Sequence, residues 1–420
     1  MKGKFSLVVL FALLAASAYA ANPQPTVVFT FICNTNGFQG SGPCPQGGRP
    51  DSLIQGSDGN FYGAAQDSME GSSTPSGGTV FSLTPAGKFT LLHTFPPGVS
   101  KTYPNGNLPG FVAEGSDGKI YGTTLFGGIG GCNGYCGSGV LYRVSKTGTG
   151  FQLLHEFCSE PGCVDGAGGA VVPDIDGNLY GASFQGGTGK CGSTFAGCGT
   201  IFKVTPSTGA YEVVFNFPGS TDEFPSSFIP AADGSFFGLD LGPQGQNLFH
   251  FTPSTGAFQS VPLNFPLFNG GLPSVGESLA LGPNGNFFGI YHIYGESGLG
   301  LFEVKTDGSN LQLFPFYTTV NGGGTPDGLL LASDGNFWVA DFNGSGGDGD
   351  IITLSPSTGK VTQTITTFGR KFPAVGSFPA VLIQAKDGTL WGTTDQGGKA
   401  STGHFGDGTV FSLSVGLPPK

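Results

Sequence analysis

Charge is what this 420-residue sequence has least of. Lys, Arg, Asp and Glu together make 11% of it, which excludes a solvated polyelectrolyte, a coiled coil and a long-helix protein. Basic residues are the scarcer kind: 17 Lys and Arg against 28 Asp and Glu leave a formal net charge of −11. Such a chain is a poor partner for nucleic acid or an anionic membrane, because phosphate attraction needs a basic surface. Five His, with no G-x-S-x-G elbow and no H-E-x-x-H pair, leave little of the usual catalytic equipment. Beyond the start of the chain no segment approaches 18 continuous apolar residues, so no later membrane insertion is expected. What the chain has in excess is Gly, 77 residues, together with 30 Pro and 39 Phe. Gly disfavours helix by about 1 kcal/mol per interior position relative to Ala. The hydrophobic content of 38% supplies a core and argues against disorder. An all-β protein with many tight turns is what remains.

Lys2 and Lys4 precede the apolar run Phe5 to Leu14, and small residues follow up to Ala18-Tyr19-Ala20. A basic start, a short hydrophobic stretch and an A-x-A site describe a secretory signal peptide over residues 1–20. Residues 21–420 are then one exported domain, secreted or periplasmic, expected to be monomeric and without a C-terminal anchor. All eight Cys lie in it: Cys33, Cys44, Cys132, Cys136, Cys158, Cys163, Cys191 and Cys198. An even number in an exported chain points to disulfides. Sequence proximity favours Cys33–Cys44, Cys132–Cys136, Cys158–Cys163 and Cys191–Cys198. Zinc would ask for a pair of short CxxC-type knuckles or added His ligands, and neither is present.

Aligning the chain on Asp-Gly reveals one unit copied seven times. Its anchors start at Asp58, Asp117, Asp176, Asp233, Asn284, Asp334 and Asp387, spaced 59, 59, 57, 51, 50 and 53 residues apart. A period near 50 carrying only strand signals indicates propeller blades or a β solenoid. Each unit reads as four strands. An apolar strand a leads into the Asp-Gly hairpin turn, where both residues tolerate positive φ. Strand b follows with an aromatic pair. Strand c has the Gly78-Thr79-Val80-Phe81 pattern, and strand d the Phe89 to Phe95 pattern. The seventh unit stops after strand c at Leu413, while Thr26 to Phe31 has the strand d pattern with no a, b or c before it. A ring closed by pairing the two explains both gaps, and closure removes an open sheet edge. The expected architecture is a seven-bladed β-propeller of four-stranded blades, the N-terminal strand completing the last blade.

The copies of D-G-N-[FL]-Y-G, followed after a Gly-rich loop by G-T-[VI]-F and a strand ending in Phe, resemble the gloeo/verruco (GloVer) tandem repeat of exported bacterial proteins. The resemblance spans nearly the whole exported part and is clearest in units 1, 2, 3 and 7. Phe237, Phe288 and Trp338 replace Tyr in units 4 to 6. The resemblance implies no particular activity. Asp334-Gly335-Asn336-Phe337-Trp338 is also similar to the D-G-N-L-W repeats of streptogramin lyases, seven-bladed enzymes that use a His/Glu pair with magnesium. Their catalytic motif has no counterpart here, so no residue role is carried over.

In a propeller the a–b and c–d turns lie on one face, and the b–c and d–a connections on the other. Every long loop and every Cys falls on the second face, where rigidly held loops usually carry binding. Staples there serve equally to resist proteolysis. Two residues past the strand b glycine lies a ring: Ala65, Thr124, Ser183, Asp240, Tyr291, Asp341 and Thr394. Asp240 and Asp341, with Tyr291 and His292 between them, form a candidate ligand site, and Glu296, Asp395 and His404 lie farther along loops of that face. Two carboxylates with a histidine can polarise a bond or hold a divalent cation. Asp also commonly binds loop amides, so the structural alternative stays open. His93, His155 and His250 read as packing residues. The leading expectation is a non-enzymatic module binding an extracellular carbohydrate or protein, without a cofactor. The alternative is an exported lyase or hydrolase, with or without the assistance of a cation.

Overall fold

The repeated Asp-Gly anchor works through its aspartate side chain. In the first unit the Asp58 carboxylate accepts from the Asn60 amide N–H at 3.2 Å, the Asn60 side chain at 3.0 Å and the Tyr62 hydroxyl at 2.8 Å. The same set recurs at Asp176 with Asn178 and Tyr180, and at Asp334 with Asn336 and the Trp338 indole N–H. D-G-N-x-Y is thus one hydrogen-bonded unit, tying a turn to the strand it starts. Only the Gly takes the left-handed backbone conformation, with φ between +73° and +89° in all seven anchors. The Asp does not need the positive φ expected of it. Asp176→Ala removes three hydrogen bonds to one carboxylate, and is expected to cost about 1–3 kcal/mol in urea unfolding. A loss of under about 0.3 kcal/mol would mean that the turn holds without them.

A computed structural model describes residues 23–32, 45–66, 77–96, 105–128, 138–191, 197–219, 224–242, 245–268, 271–293, 298–316, 326–342, 348–365, 368–369, 375–398 and 407–420. It is a seven-bladed propeller of antiparallel four-stranded sheets. The first blade runs Pro50–Gln55, Phe61–Ala65, Thr79–Leu83 and Phe89–Thr94, and blades two to six repeat that a-b-c-d meander. In blade four, strand a is split into Phe224–Pro225 and Ile229–Pro230. The single helical feature among the described residues is a 3-10 turn at Pro161–Cys163. No helix among them is long and apolar enough to cross a membrane. The seventh sheet contains Ser377–Gln384, Leu390–Gln396 and Thr409–Leu413, and its fourth strand is Thr26–Thr30 from the other end of the chain. Thr26 faces Ser412 and Thr30 faces Thr409, and the Phe31 N–H donates to the Gly408 carbonyl at 3.0 Å.

The G-T-[VI]-F pattern has a packing cause. A Cβ on the strand b glycine would collide with the strand c ring beside it: Gly63 with Phe81, Gly181 with Phe202, Gly238 with Phe249, Gly289 with Phe302 and Gly392 with Phe411. Blade six reverses both members, pairing Val339 with Ile352, so the volume is conserved while its distribution changes. Between blades the apolar faces interlock. At the closing seam the Phe61 and Trp391 rings stack at 3.9 Å. Strand a of each of several blades also bonds back to the start of its neighbour's strand c: Leu108 N–H to the Gly77 carbonyl at 2.9 Å, Phe378 to Asp348 at 2.7 Å, and Arg49 to Asp407 at 2.7 Å across the seam. The C-terminal segment lies over the turn face, its Pro418 carbonyl accepting from Ser333 at 2.6 Å and Gln384 at 3.0 Å.

Candidate binding site

The hydroxyl members of the strand b ring close the turn into the b–c connection. The Thr124 side chain donates to the Phe126 carbonyl at 2.8 Å and accepts from the Val140 N–H at 3.0 Å. Ser183 does the same with Gln185 and Thr200, and Thr394 with Gln396 and Thr409. The ring position is therefore structural in these blades. Asp240 takes that position in blade four, where it accepts from Asn247 at 2.5 Å and Ser260 at 2.9 Å within its own sheet. Tyr291 is buried in the core of blade five, its ring stacked on Phe268 at 6.1 Å. His292 beside it is half-buried, opposite Ser274 and Leu299, and burial lowers its pKa. Asp341 is buried in blade six, in register with the buried Asp350. These four residues are thus seated in three successive blades, and Tyr291 packs in one apolar cluster with Phe237, Leu239 and Leu248 of blade four. Glu296, His404, Cys33, Cys44, Cys132 and Cys136 lie outside the described residues.

Two of the expected disulfides are formed, Cys158–Cys163 and Cys191–Cys198. The histidines of strand d stack on aromatic rings of the following blade: His93 on Phe151 at 3.6 Å and His155 on Tyr211 at 3.8 Å. Burial pushes the His93 pKa down to about 4. His250 stacks on Phe237 at 4.3 Å within its own sheet.

What the structure brings together is the last of the expected loop-face acids with residues that the sequence did not single out. Asp395 ends strand b of blade seven, and its Oδ1 receives the Arg49 Nε at 2.6 Å across the seam. Arg49 enters strand a of blade one with φ +51°, and its backbone is fixed by Asp407 and Gln66. Asp51, at a bulge in that strand, accepts a hydrogen bond from the Gln66 side chain. Burial raises the Asp51 pKa to about 7, with the Asp395 charge adding to the rise and Gln66 and Arg49 opposing it. Tyr142 of blade two lies on the far side, its hydroxyl buried; burial, then the Asp51 charge, keeps the phenol protonated. Arg49, Asp51 and Gln66 each retain partial exposure, so the group stands at the edge of solvent.

Beside this polar seam the same face is apolar. The residue after the ring position is Gln66 in blade one and Asp395 in blade seven, but Leu125, Phe184 and Leu241 in blades two to four, each about half exposed. Among the described residues no group of three or more His, Cys, Asp or Glu is placed to hold a metal ion.

Comparison with known proteins agrees with this architecture. Residues 49–274 and 192–411 match the Gloeobacter/Verrucomicrobia repeat. No curated protein matches the chain. Among solved structures, a catalytically inactive virginiamycin B lyase from Staphylococcus aureus, with quinupristin, is similar at TM-score 0.55 and 13% identity, over 89% of this chain and 97% of that one. PorZ, a surface component of the type-IX secretion system of Porphyromonas gingivalis, is similar at TM-score 0.53 and 14% identity, over 90% of this chain and 48% of that one. An oligogalacturonate lyase from Vibrio parahaemolyticus is similar at TM-score 0.51 and 14% identity, over 94% of this chain and 95% of that one. At such identities the likeness is one of fold, which carries no function by itself.

Proposed function

The chain belongs to the Gloeobacter/Verrucomicrobia repeat family, and from that premise we propose that it is a ligand-binding module working through the face that carries its loops. The observation behind this reading is the exposed arc of Leu125, Phe184 and Leu241 beside the polar seam. Three successive blades present a large apolar side chain to water at one repeat position. Contiguous exposed apolar surface on a monomer commonly marks an interaction site. Both disulfides described above lie in connections on this face, and Cys191–Cys198 is packed into the core cluster of blades three and four. They suit an oxidising compartment, so the module acts outside the cytoplasm, with residues 1–20 as its removed leader.

The test is thermal shift of the purified protein against a panel of neutral and acidic oligosaccharides, short peptides and divalent cations. A panel member is expected to raise Tm by about 2 °C or more, the mass-action effect of a ligand well above its Kd. The combined Leu125→Ser, Phe184→Ser and Leu241→Ser variant is expected to fold and to lose that shift. Mass spectrometry is expected to return the bound compound intact. Turnover of it would favour the lyase or hydrolase reading. A shift that survives in the variant would move the site off this face.

A further inference from the structure

We infer that the turn face between blades six and seven carries a peptide-binding groove. Residues 415–420 fill it in cis, and once they are withdrawn it takes a separate extended peptide with two apolar side chains ahead of Pro-Pro. The groove lies on the face opposite the loops and does not depend on the binding reading above.

The first support is a gap in the repeat that this segment fills. The c–d turn of a blade reaches back to the blade before it. Lys146, in the turn of blade two, donates to Ser57 Oγ of blade one at 3.0 Å and pairs with Glu114 at 2.7 Å. In blade three the Pro206 carbonyl accepts from Tyr121 at 3.2 Å and Arg143 at 2.8 Å, both of blade two. Blade seven has no c–d turn, because its fourth strand is Thr26–Thr30. Ser333 and Gln384 stand in the repeat where Ser57 and Glu114 stand, next to the anchor Asp of one blade and three residues before that of the following one. There the Pro418 carbonyl supplies the contact, accepting from Ser333 Oγ at 2.6 Å and Gln384 Nε2 at 3.0 Å. A segment outside the blade pattern thus takes the place of the turn.

The second support is that the receiving surface is assembled from the blades alone. Gln384 is 6% exposed, and both ends of its amide are fixed on blade six. Its Oε1 accepts from the Ser333 N–H at 2.9 Å, and its Nε2 donates to Ser333 Oγ at 2.6 Å. The apolar part is the core cluster of Ala332, Trp338, Leu390 and Leu413, against which Val415 and Leu417 pack. The Lys386 carbonyl accepts from the Lys420 N–H at 3.2 Å. The segment itself is lightly held. Val415 and Leu417 are half-buried, while Gly416, Pro418, Pro419 and Lys420 are exposed. Chain with so few buried apolar contacts opens at low free energy, far below that of global unfolding.

The segment's own chemistry specifies the ligand class. Its two apolar side chains flank Gly416, whose φ of +76° lies in the left-handed region. Pro418 and Pro419 bring a φ preset by their rings, and each keeps a carbonyl acceptor while lacking an N–H. A Pro-Pro pair is already extended in a free peptide, so little ordering entropy is lost when it docks. The polar contacts join a hydroxyl, a carboxamide and backbone groups, all uncharged. Binding of this kind is insensitive to salt, because there is no ion pair to screen.

The experiment uses the full chain with Val415→Ser and Leu417→Ser, which removes the apolar hold of the segment, and a fluorescein-labelled peptide with the sequence of residues 415–420. Fluorescence anisotropy is expected to show the peptide binding the substituted chain about 10-fold or more tighter than the parent, whose groove is filled. A peptide carrying Leu417→Ser is expected to bind about 5-fold or more weaker, for loss of its buried apolar side chain. Ser333→Ala, at an exposed position, is expected to weaken binding as well, and high salt to leave it unchanged. Should the doubly substituted chain fail to fold, Gly416→Ala carries the same test. Its Cβ would meet open space, so the left-handed φ alone opposes it. No binding to the released chain overturns the inference and makes the segment a passive cover. Equal binding to released and parent chains overturns it too, because the peptide then sits elsewhere, as does binding that ignores both Leu417→Ser in the peptide and Ser333→Ala in the protein.

Discussion

Phe31→Ala is expected to remove about 3–5 kcal/mol of stability, the usual range for truncating a fully buried aromatic side chain. Phe31 has no exposed surface, and its ring meets Phe29 at 5.0 Å, Phe81 at 5.3 Å and Phe89 at 6.1 Å, each edge-on. Two of those partners belong to blade one, so the side chain fastens the closing strand to the neighbouring sheet as well as to its own. Its backbone is bonded in both directions to blade seven, with Phe31 N–H to the Gly408 carbonyl and Asp407 N–H back to the Phe31 carbonyl. The loss should appear as a lowered urea midpoint, with early proteolytic cleavage in residues 377–413. Val361→Ala, on the exposed outer strand of blade six, is the control and should stay within about 0.5 kcal/mol. If both substitutions have equally small effects, the N-terminal strand is an ornament on the ring rather than part of it.

Asp51 carries the second large effect, a dependence of stability on pH. Its folded-state pKa of about 7 stands above the ordinary value of 3.8, burial being the main cause. Between those values the folded chain keeps the proton and the unfolded chain has lost it. The contribution is therefore complete below about pH 4 and declines as pH rises toward 7. At 1.36 kcal/mol per unit the decline is at most about 4 kcal/mol, an upper bound because Asp51 retains some solvent contact. Asp51→Asn cannot ionise and should flatten the slope of unfolding free energy between pH 4 and pH 7. The substituted protein should therefore gain on the parent as pH rises. Parallel pH profiles for the two proteins would show that Asp51 ionises freely in the folded state.

The architecture was legible in the sequence because each blade repeats its own instructions. The D-G-N-x-Y turn and the Gly opposite a strand c aromatic are both local and recur, so seven weak signals reinforce one another. The closing strand was legible through its pattern, since Val27, Phe29 and Phe31 match strand d and nothing else. The site was harder to read. The ring position marked Asp240, Tyr291 and Asp341 by counting along strand b, yet in blades two, three and seven that position serves a turn hydrogen bond, so its chemistry follows from backbone need. Asp395 stood in the expected set, but its partners did not. Arg49 and Asp51 lie almost the full chain length away, and Asp51 reaches the seam through a bulge that shifts register by one residue. No periodic rule carries such a shift. A cue was nevertheless present: Asp51 and Tyr142 break the repeat where sister blades hold Gly, Ala or Phe. Comparing units for what differs would have pointed to them.

Joining the first strand to the last sheet imposes an order on how the molecule is made. Blades one to six can settle as they emerge from the ribosome, each from a contiguous stretch of chain. Thr26–Thr30 emerges early and has to wait for Thr409–Leu413 before it finds its partner. Arg49 and Asp395 meet at that same late moment. A product interrupted in its final blade would consist mostly of finished sheets and still lack the seam.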